Sequence, residues 1–145
     1  MNAAPALAIS GGPAAPAERE AVIALWSRCG LTRPWNDPVA DFDAALAGPA
    51  SAVLVLRAGG RVLATAMVGH DGHRGSVYYL AVDPASQRQG LGRRLMADVE
   101  AWLRARGVPK LNLLVRTANA AVIGFYAALG YGDNDCLSLG KRLDG

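Results

Sequence analysis

The sequence predicts an α/β fold: one mixed sheet with helices on its faces. Three runs of strand character follow one another between residues 52 and 83, which makes the centre of the sheet an antiparallel meander. Runs of helical period lie before and after that meander. Two later strand-like runs are each reached through a helix, and so arrive by crossover rather than by hairpin. The predicted order is β-α-α-β-β-β-α-β-α-β.

Residues 6–10 (ALAIS) read as a short first strand, broken by GGPAAP. Helical spacing begins near Glu18: Ala21, Val22, Leu25, Trp26 and Cys29 recur at three- and four-residue intervals until Gly30. Ala17 is a poor N-cap, so this helix is expected to start loosely. LTRPWNDP holds two prolines and is a loop. Asp37 then caps a short helix with Pro38 in its first position, through about Leu46. Runs 52–57 and 61–69 join at Ala58-Gly59-Gly60 as a hairpin, HDGHRG turns the chain, and 76–83 forms the third strand of the meander. Leu91, Leu95, Val99, Trp102 and Leu103 mark an amphipathic helix through Arg106, with Gly107 just past its end. Residues 110–116 read as a strand, Asn119 to Leu129 as a helix ending at Gly130, and 136–143 as a closing strand.

The chain has 145 residues, the size of one domain, and 1–145 is read as such with residues 1–5 flexible. An apolar content of 52% supplies a core, while a net charge of +3 without blocks of like charge argues against a nucleic-acid arm. The arginines gather instead at 88, 93 and 94, then 104 and 106, which suits a local anion site. Cys29 and Cys136 have neither disulfide-framework nor metal-ligand spacing. The first ten residues lack a signal-peptide pattern, and no apolar run nears the roughly 20 residues of a membrane span. The expectation is a cytoplasmic protein with no membrane or nucleic-acid partner and no metal.

The most specific stretch is VDPASQRQGLGRRL, Val82 to Leu95. A strand ends, a turn follows, and Gly90 and Gly92 flank the start of a helix. Glycines there let backbone N–H groups approach a ligand, and the helix start carries about half a positive charge. Acidic residues usually occupy such a first turn, yet here the neighbours are Arg88, Arg93 and Arg94. The combination suits a phosphate. A Walker A loop would need Gly-Lys-Ser/Thr, and a dinucleotide fingerprint a third glycine where Leu95 stands; both are missing. The remaining pattern, Gln87-x-x-Gly90-x-Gly92, resembles the pyrophosphate loop of the GNAT N-acetyltransferases. A plain reading, a glycine-rich helix entry with solvated arginines, stands beside it.

TANAAVIGFYAALGY resembles the second signature of that family, with Asn119, Phe125, Tyr126, Leu129, Gly130 and Tyr131 in order. Seven residues separate Asn119 from Tyr126, two helical turns, so both face one side about 10 Å apart. The resemblance gives Asn119 a hydrogen bond to the cofactor and makes Tyr126 the donor that protonates the departing CoA thiolate. A phenol of ordinary pKa near 10 holds its proton at pH 7 and has it to give. Alternatively, Asn119 is only an N-cap and Tyr126 only packs.

The resemblance implies a mostly antiparallel sheet splayed at the fourth and fifth strands, with helices on both faces. It implies acetyl-CoA as cosubstrate, held by Leu80, Ala81, Val82, Gln87, Arg88, Gln89, Gly90, Leu91, Gly92, Arg93 and Asn119. The backbone of 80–82 would pair with the pantetheine arm, and one of its N–H groups would polarise the thioester carbonyl. That role requires a β-bulge that the sequence does not reveal. LTRPWNDP, HDGHRGSVYYLAVDP and LSLGKRL resemble, more narrowly, the YpeA-type bacterial group.

Transfer needs a neutral amine, and a lysine-like amine is only about 0.04% neutral at pH 7, against roughly 15% for an α-amine. Candidates for the acceptor side and its base are Trp35, Asn36, Asp37, Asp71, His73 and Tyr79 acting through water. Each has a structural alternative: Asp71 as turn former, His73 as solvated loop residue, Tyr79 as sheet packing. The related ribosomal-protein N-terminal alanine acetyltransferases carry a glutamate base five residues before the asparagine, where this chain has Leu114. The expected reaction moves acetyl to a primary amine, on a small molecule or a peptide N-terminus. A CoA-binding module without turnover and a nucleic-acid-binding domain are the rivals, and a homodimer is left open.

Overall fold

A computed structural model describes residues 8–145. The expectation for residues 1–5, and residues 6 and 7 of the predicted first strand, lie outside the described residues. By internal contacts the chain divides into two compact units, one ending at Asn112 and the other spanning Leu113–Gly145.

The first unit is a five-stranded sheet in the order β1-β2-β3-β4-β5, formed by Ser10–Pro13, Ser51–Ala58, Arg61–His70, Gly75–Val82 and Leu111–Asn112. The first four pair antiparallel and β5 runs parallel to β4. The β2–β3 turn is Gly59-Gly60, with φ of 57° and 76° at its two central residues, a conformation side chains resist. Strand β1 lies later than residues 6–10 and incorporates the predicted breaker. Its Gly11 runs so close to β2 that a Cβ there would stand 3.0 Å from Leu56 Cδ2 and 3.1 Å from Asp98 Oδ2. Here glycine marks close approach rather than a break.

Helices α1 (Arg19–Arg28) and α2 (Pro38–Ala47) cover one face of the sheet. Val22, Leu25, Trp26, Phe42 and Ala45 pack there with Val53, Val55, Val62 and Ala81. Asp37 caps α2 as predicted, accepting from the N–H groups of Val39 and Ala40. Alternation sends Leu54, Leu56, Ala64, Ala66 and Val68 to the other face, where Leu91, Leu95, Met96, Val99 and Leu103 of α3 (Leu91–Arg104) are buried. The predicted strand 110–116 shortens to β5, whose ladder with β4 holds only Gly75↔Leu111 and Ser76↔Asn112. Past Ser76, β4 has no partner in β5.

The second unit holds α4 (Ala120–Ala128). Asn119 caps its start by accepting from Val122 N–H at 3.2 Å. Its end is closed by Tyr131 N–H on Tyr126 C=O and Gly130 N–H on Ala127 C=O, with Gly130 at φ 95°. The predicted closing strand is not formed: residues 136–143 carry no strand, and Leu137, Leu139 and Leu143 are 89%, 89% and 91% exposed. Alternating leucines supply one apolar face, but a strand also needs a ladder for its N–H and C=O groups, and this unit contains none.

Candidate active site

Strand β4 is the structural centre of the site. Thr65 pairs with Ala81 and Met67 with Tyr78, so Tyr79 and Leu80 together face the single residue Ala66. This is a β-bulge, which takes backbone groups out of the ladder and re-aims the strand. Tyr79 adopts a φ of 54°, a left-handed conformation costing a residue with a Cβ about 1–2 kcal/mol. Three contacts hold it. Trp26 stacks on the Tyr79 ring at 3.9 Å between centroids. The Trp26 indole N–H donates to Thr65 Oγ1 at 2.9 Å, and the Thr65 hydroxyl donates onward to the Tyr79 carbonyl at 3.1 Å. Tyr79 Oη donates to Asp41 Oδ2 at 2.7 Å. Trp26 and Thr65 have no exposed surface, so the bond between them is buried, while the bond from Thr65 to Tyr79 is partly buried.

Immediately after β4, Asp83 fixes the exit of the strand. Its buried carboxylate meets Arg61 at 2.9 Å and Arg28 at 3.4 Å, and accepts from Ala85 N–H at 3.0 Å. The Ala85 bond and, after it, the arginines hold the Asp83 carboxyl below the ordinary carboxylate range. One turn of 3₁₀ helix, Pro84–Ser86, leads into the loop. Arg88 at φ 66° and Gly90 at φ 72° are both left-handed, and α3 begins at Leu91 with no side-chain cap and no acidic residue in its first turn. Among the described residues, nothing accepts from the backbone N–H groups of Leu91, Gly92 and Arg93. No side-chain bond or ion pair among the described residues engages Arg88 or Arg93, while Arg94 donates to Ile9 C=O. Successive N–H groups in such a turn form an anion-binding concavity, here flanked by two exposed guanidinium groups.

On the α1/α2 face a cleft of about 450 Å³ is lined by Leu31, Asn36, Asp41, Met67, Tyr78 and Tyr79. Burial, reinforced by the neighbouring carboxylate, pushes the Tyr79 phenol up to about 12. It therefore acts as a donor at neutral pH.

In the second unit Tyr126 is buried, with Phe125 and Tyr131 edge-on at 5.1 and 5.7 Å between centroids. Burial pushes its phenol up to about 12, so it too keeps its proton across the physiological range.

Residues 19–131 match the model of the acetyltransferase (GNAT) family. The chain belongs to the GNAT acetyltransferases. It is 48% identical over 124 residues to an acetyltransferase of Pectobacterium atrosepticum, covering 86% of this chain and 88% of the relative. It resembles the ribosomal-protein-S18-alanine N-acetyltransferase of Escherichia coli with a TM-score of 0.74 and 30% identity, over 85% of this chain and 77% of the other. An aminoglycoside N-acetyltransferase in complex with CoA shares the fold at a TM-score of 0.83 and 15% identity, over 98% and 99% of the two chains.

In this GNAT enzyme the residues predicted for the cofactor from Leu80 to Arg93 form one continuous path: bulge, strand exit, loop and helix start. Cys29 adds a thiol that donates to Val82 C=O at 3.3 Å. The acceptor-side candidates divide. Asn36 and Tyr79 line the cleft; Trp35, Asp37, Asp71 and His73 are not part of its lining. Asp37 is occupied as a helix cap. Asp71 accepts from the N–H groups of His73 and Arg74, both at 2.8 Å, which hold its carboxyl below the ordinary range and make it a weak base. Two residues escaped the sequence reading, Asp41 and Thr65, and Trp26 was read only as part of a helical apolar stripe, without its contacts to Thr65 and Tyr79. A threonine inside the apolar run VLATAMV, and a carboxylate directly before the buried Phe42, were the available signals.

Thr65→Val keeps the shape but leaves the indole N–H and the Tyr79 carbonyl without their buried partner. Urea unfolding is expected to show a loss of about 1–3 kcal/mol, with Thr65→Ser losing less; equal stability of the valine variant would remove Thr65 from this role.

Proposed function

We propose that the enzyme transfers acetyl from acetyl-CoA to a primary amine, of a small molecule or a peptide N-terminus, by direct attack in a ternary complex. One observation carries this reading: a bulge at Tyr79–Leu80 and a helix start at Leu91 without cap or acidic residue lie on one short stretch of chain, eight residues separating the end of the strand from the helix. A diphosphate bound at Gln87–Arg93 would lay the pantetheine arm along Leu80–Val82. Arg88 and Arg93 suit its charge, and Asn119 is the further cofactor contact that family resemblance supplies.

The neutral amine nitrogen attacks the thioester carbonyl, the C–N bond forms, and the C–S bond breaks with its electron pair leaving on sulfur. An N–H group freed by the bulge stabilises the charge that builds on the carbonyl oxygen. Tyr126 gives its proton to the thiolate, and the proton lost by the amine returns through water. The products are an acetamide and CoA thiol. Because the phenol is held protonated up to about pH 12, its donor form is not the limiting species at neutral pH. The family match runs across both units, which supports reading them as one acetyltransferase domain. The narrower YpeA-like assignment is part of the same proposal.

Tyr126→Phe is expected to lower kcat by about tenfold to a thousandfold, the usual general-acid range, with CoA affinity retained. Turnover at the wild-type rate, followed by thiol release across an amine panel, would take that role away. Gly90→Glu meets no protein atom within 4 Å at its Cβ, but it forces a side chain to φ 72° and places a carboxylate at the anion loop. Calorimetry should find CoA binding abolished; undiminished affinity would refute the loop assignment.

A further inference from the structure

We infer that the cleft beside β4 selects acceptors carrying a second positive charge, with Asp41 holding that charge and the reacting amine placed at the bulge end. The inference rests on the acetyl-transfer reading and assigns its substrate class.

Asp41 is a half-buried carboxylate on the cleft wall, and none of the ion pairs among the described residues involves it. Among the described residues its one side-chain hydrogen bond is from the Tyr79 hydroxyl, which fixes the orientation of the carboxylate. That contact also sets a length. The Tyr79 backbone forms the bulge, where the thioester carbonyl would be polarised, and its hydroxyl reaches Asp41, so a whole tyrosine side chain separates the two ends. A carboxylate that far away does not take a proton directly from the attacking nitrogen. It also keeps any amine bound to it protonated and unreactive. The group it holds is therefore a different one. The cleft is also lined by Leu31, Met67 and Tyr78, the last 53% exposed, which suit a short hydrocarbon spacer and a cation over an aromatic face. The volume, about 450 Å³, is that of a small-molecule site.

The test uses the full chain, acetyl-CoA and three acceptors of one length: a terminal five-carbon diamine, its monoamine, and the amino acid with a carboxylate at the far end. The expected order of kcat/KM is diamine, monoamine, amino acid. Asp41→Asn, which still accepts from the Tyr79 hydroxyl, should shrink the diamine-to-monoamine ratio by about tenfold to a hundredfold, mainly through KM. Asp41→Glu should recover part of it. Thiol release with all three acceptors at equal efficiency, or equal losses for diamine and monoamine in Asp41→Asn, would overturn the inference and leave acetyl transfer standing. No thiol release with any amine would overturn both.

Discussion

Thr65 accepts a hydrogen bond from the indole of Trp26 and gives one to the carbonyl of Tyr79, and the form of β4 follows from those two bonds. A threonine in the middle of an apolar strand would be a liability if its hydroxyl were unpaired. Here it offsets the strain of a tyrosine in left-handed backbone and fixes the position where the ladder skips a residue. Helix α1 contributes the indole and α2 the carboxylate that takes the Tyr79 hydroxyl, so both helices on that face converge on one backbone irregularity. The core packs around a backbone distortion rather than around a regular strand.

Charge is arranged to the same end. Asp83 is buried at the exit of β4 with two arginines and a backbone N–H as partners, which holds the path from the bulge to the loop. Five residues past the 3₁₀ turn the pattern reverses: arginines, no acidic residue and no cap at the start of α3. A helix start of this kind is poorly compensated in the protein alone and well matched to an anion. On the other side of β4, the carboxylate of Asp41 gives the cleft the opposite sign. On the proposed reading, the cosubstrate and acceptor sides of one strand would thus be distinguished by charge.

Much of this was legible in the sequence, because it depends on local rules. Gly90 and Gly92 at a helix entry, Asp37-Pro38 at a cap, and Gly59-Gly60 between two strand runs each have a local physical meaning, and each folds accordingly. Helical spacing also placed Val22, Leu25 and Trp26 on one apolar stripe, and all three are buried. What the sequence concealed depends on distant partners. Nothing near Tyr79 announces a positive φ; the cause lies in Trp26 and Thr65, far along the chain. Asp41 looked like an ordinary helix residue until Tyr79 was brought to it. Leu137 and Leu139 alternate as a strand should, yet alternation specifies a face and not a partner, and no strand forms there. Gly11 was read as a breaker because close approach to Leu56 cannot be seen from composition.

The central claim is that residues 80–82 and 87–93 form one cofactor surface. Hydrogen–deuterium exchange of the full chain with and without CoA tests it most directly. Exchange in peptides covering both segments should slow at least about tenfold with CoA, while pantetheine alone, lacking the diphosphate, should protect only the β4 segment. Protection confined to other parts of the chain, with both segments exchanging at their unliganded rates, would contradict the account.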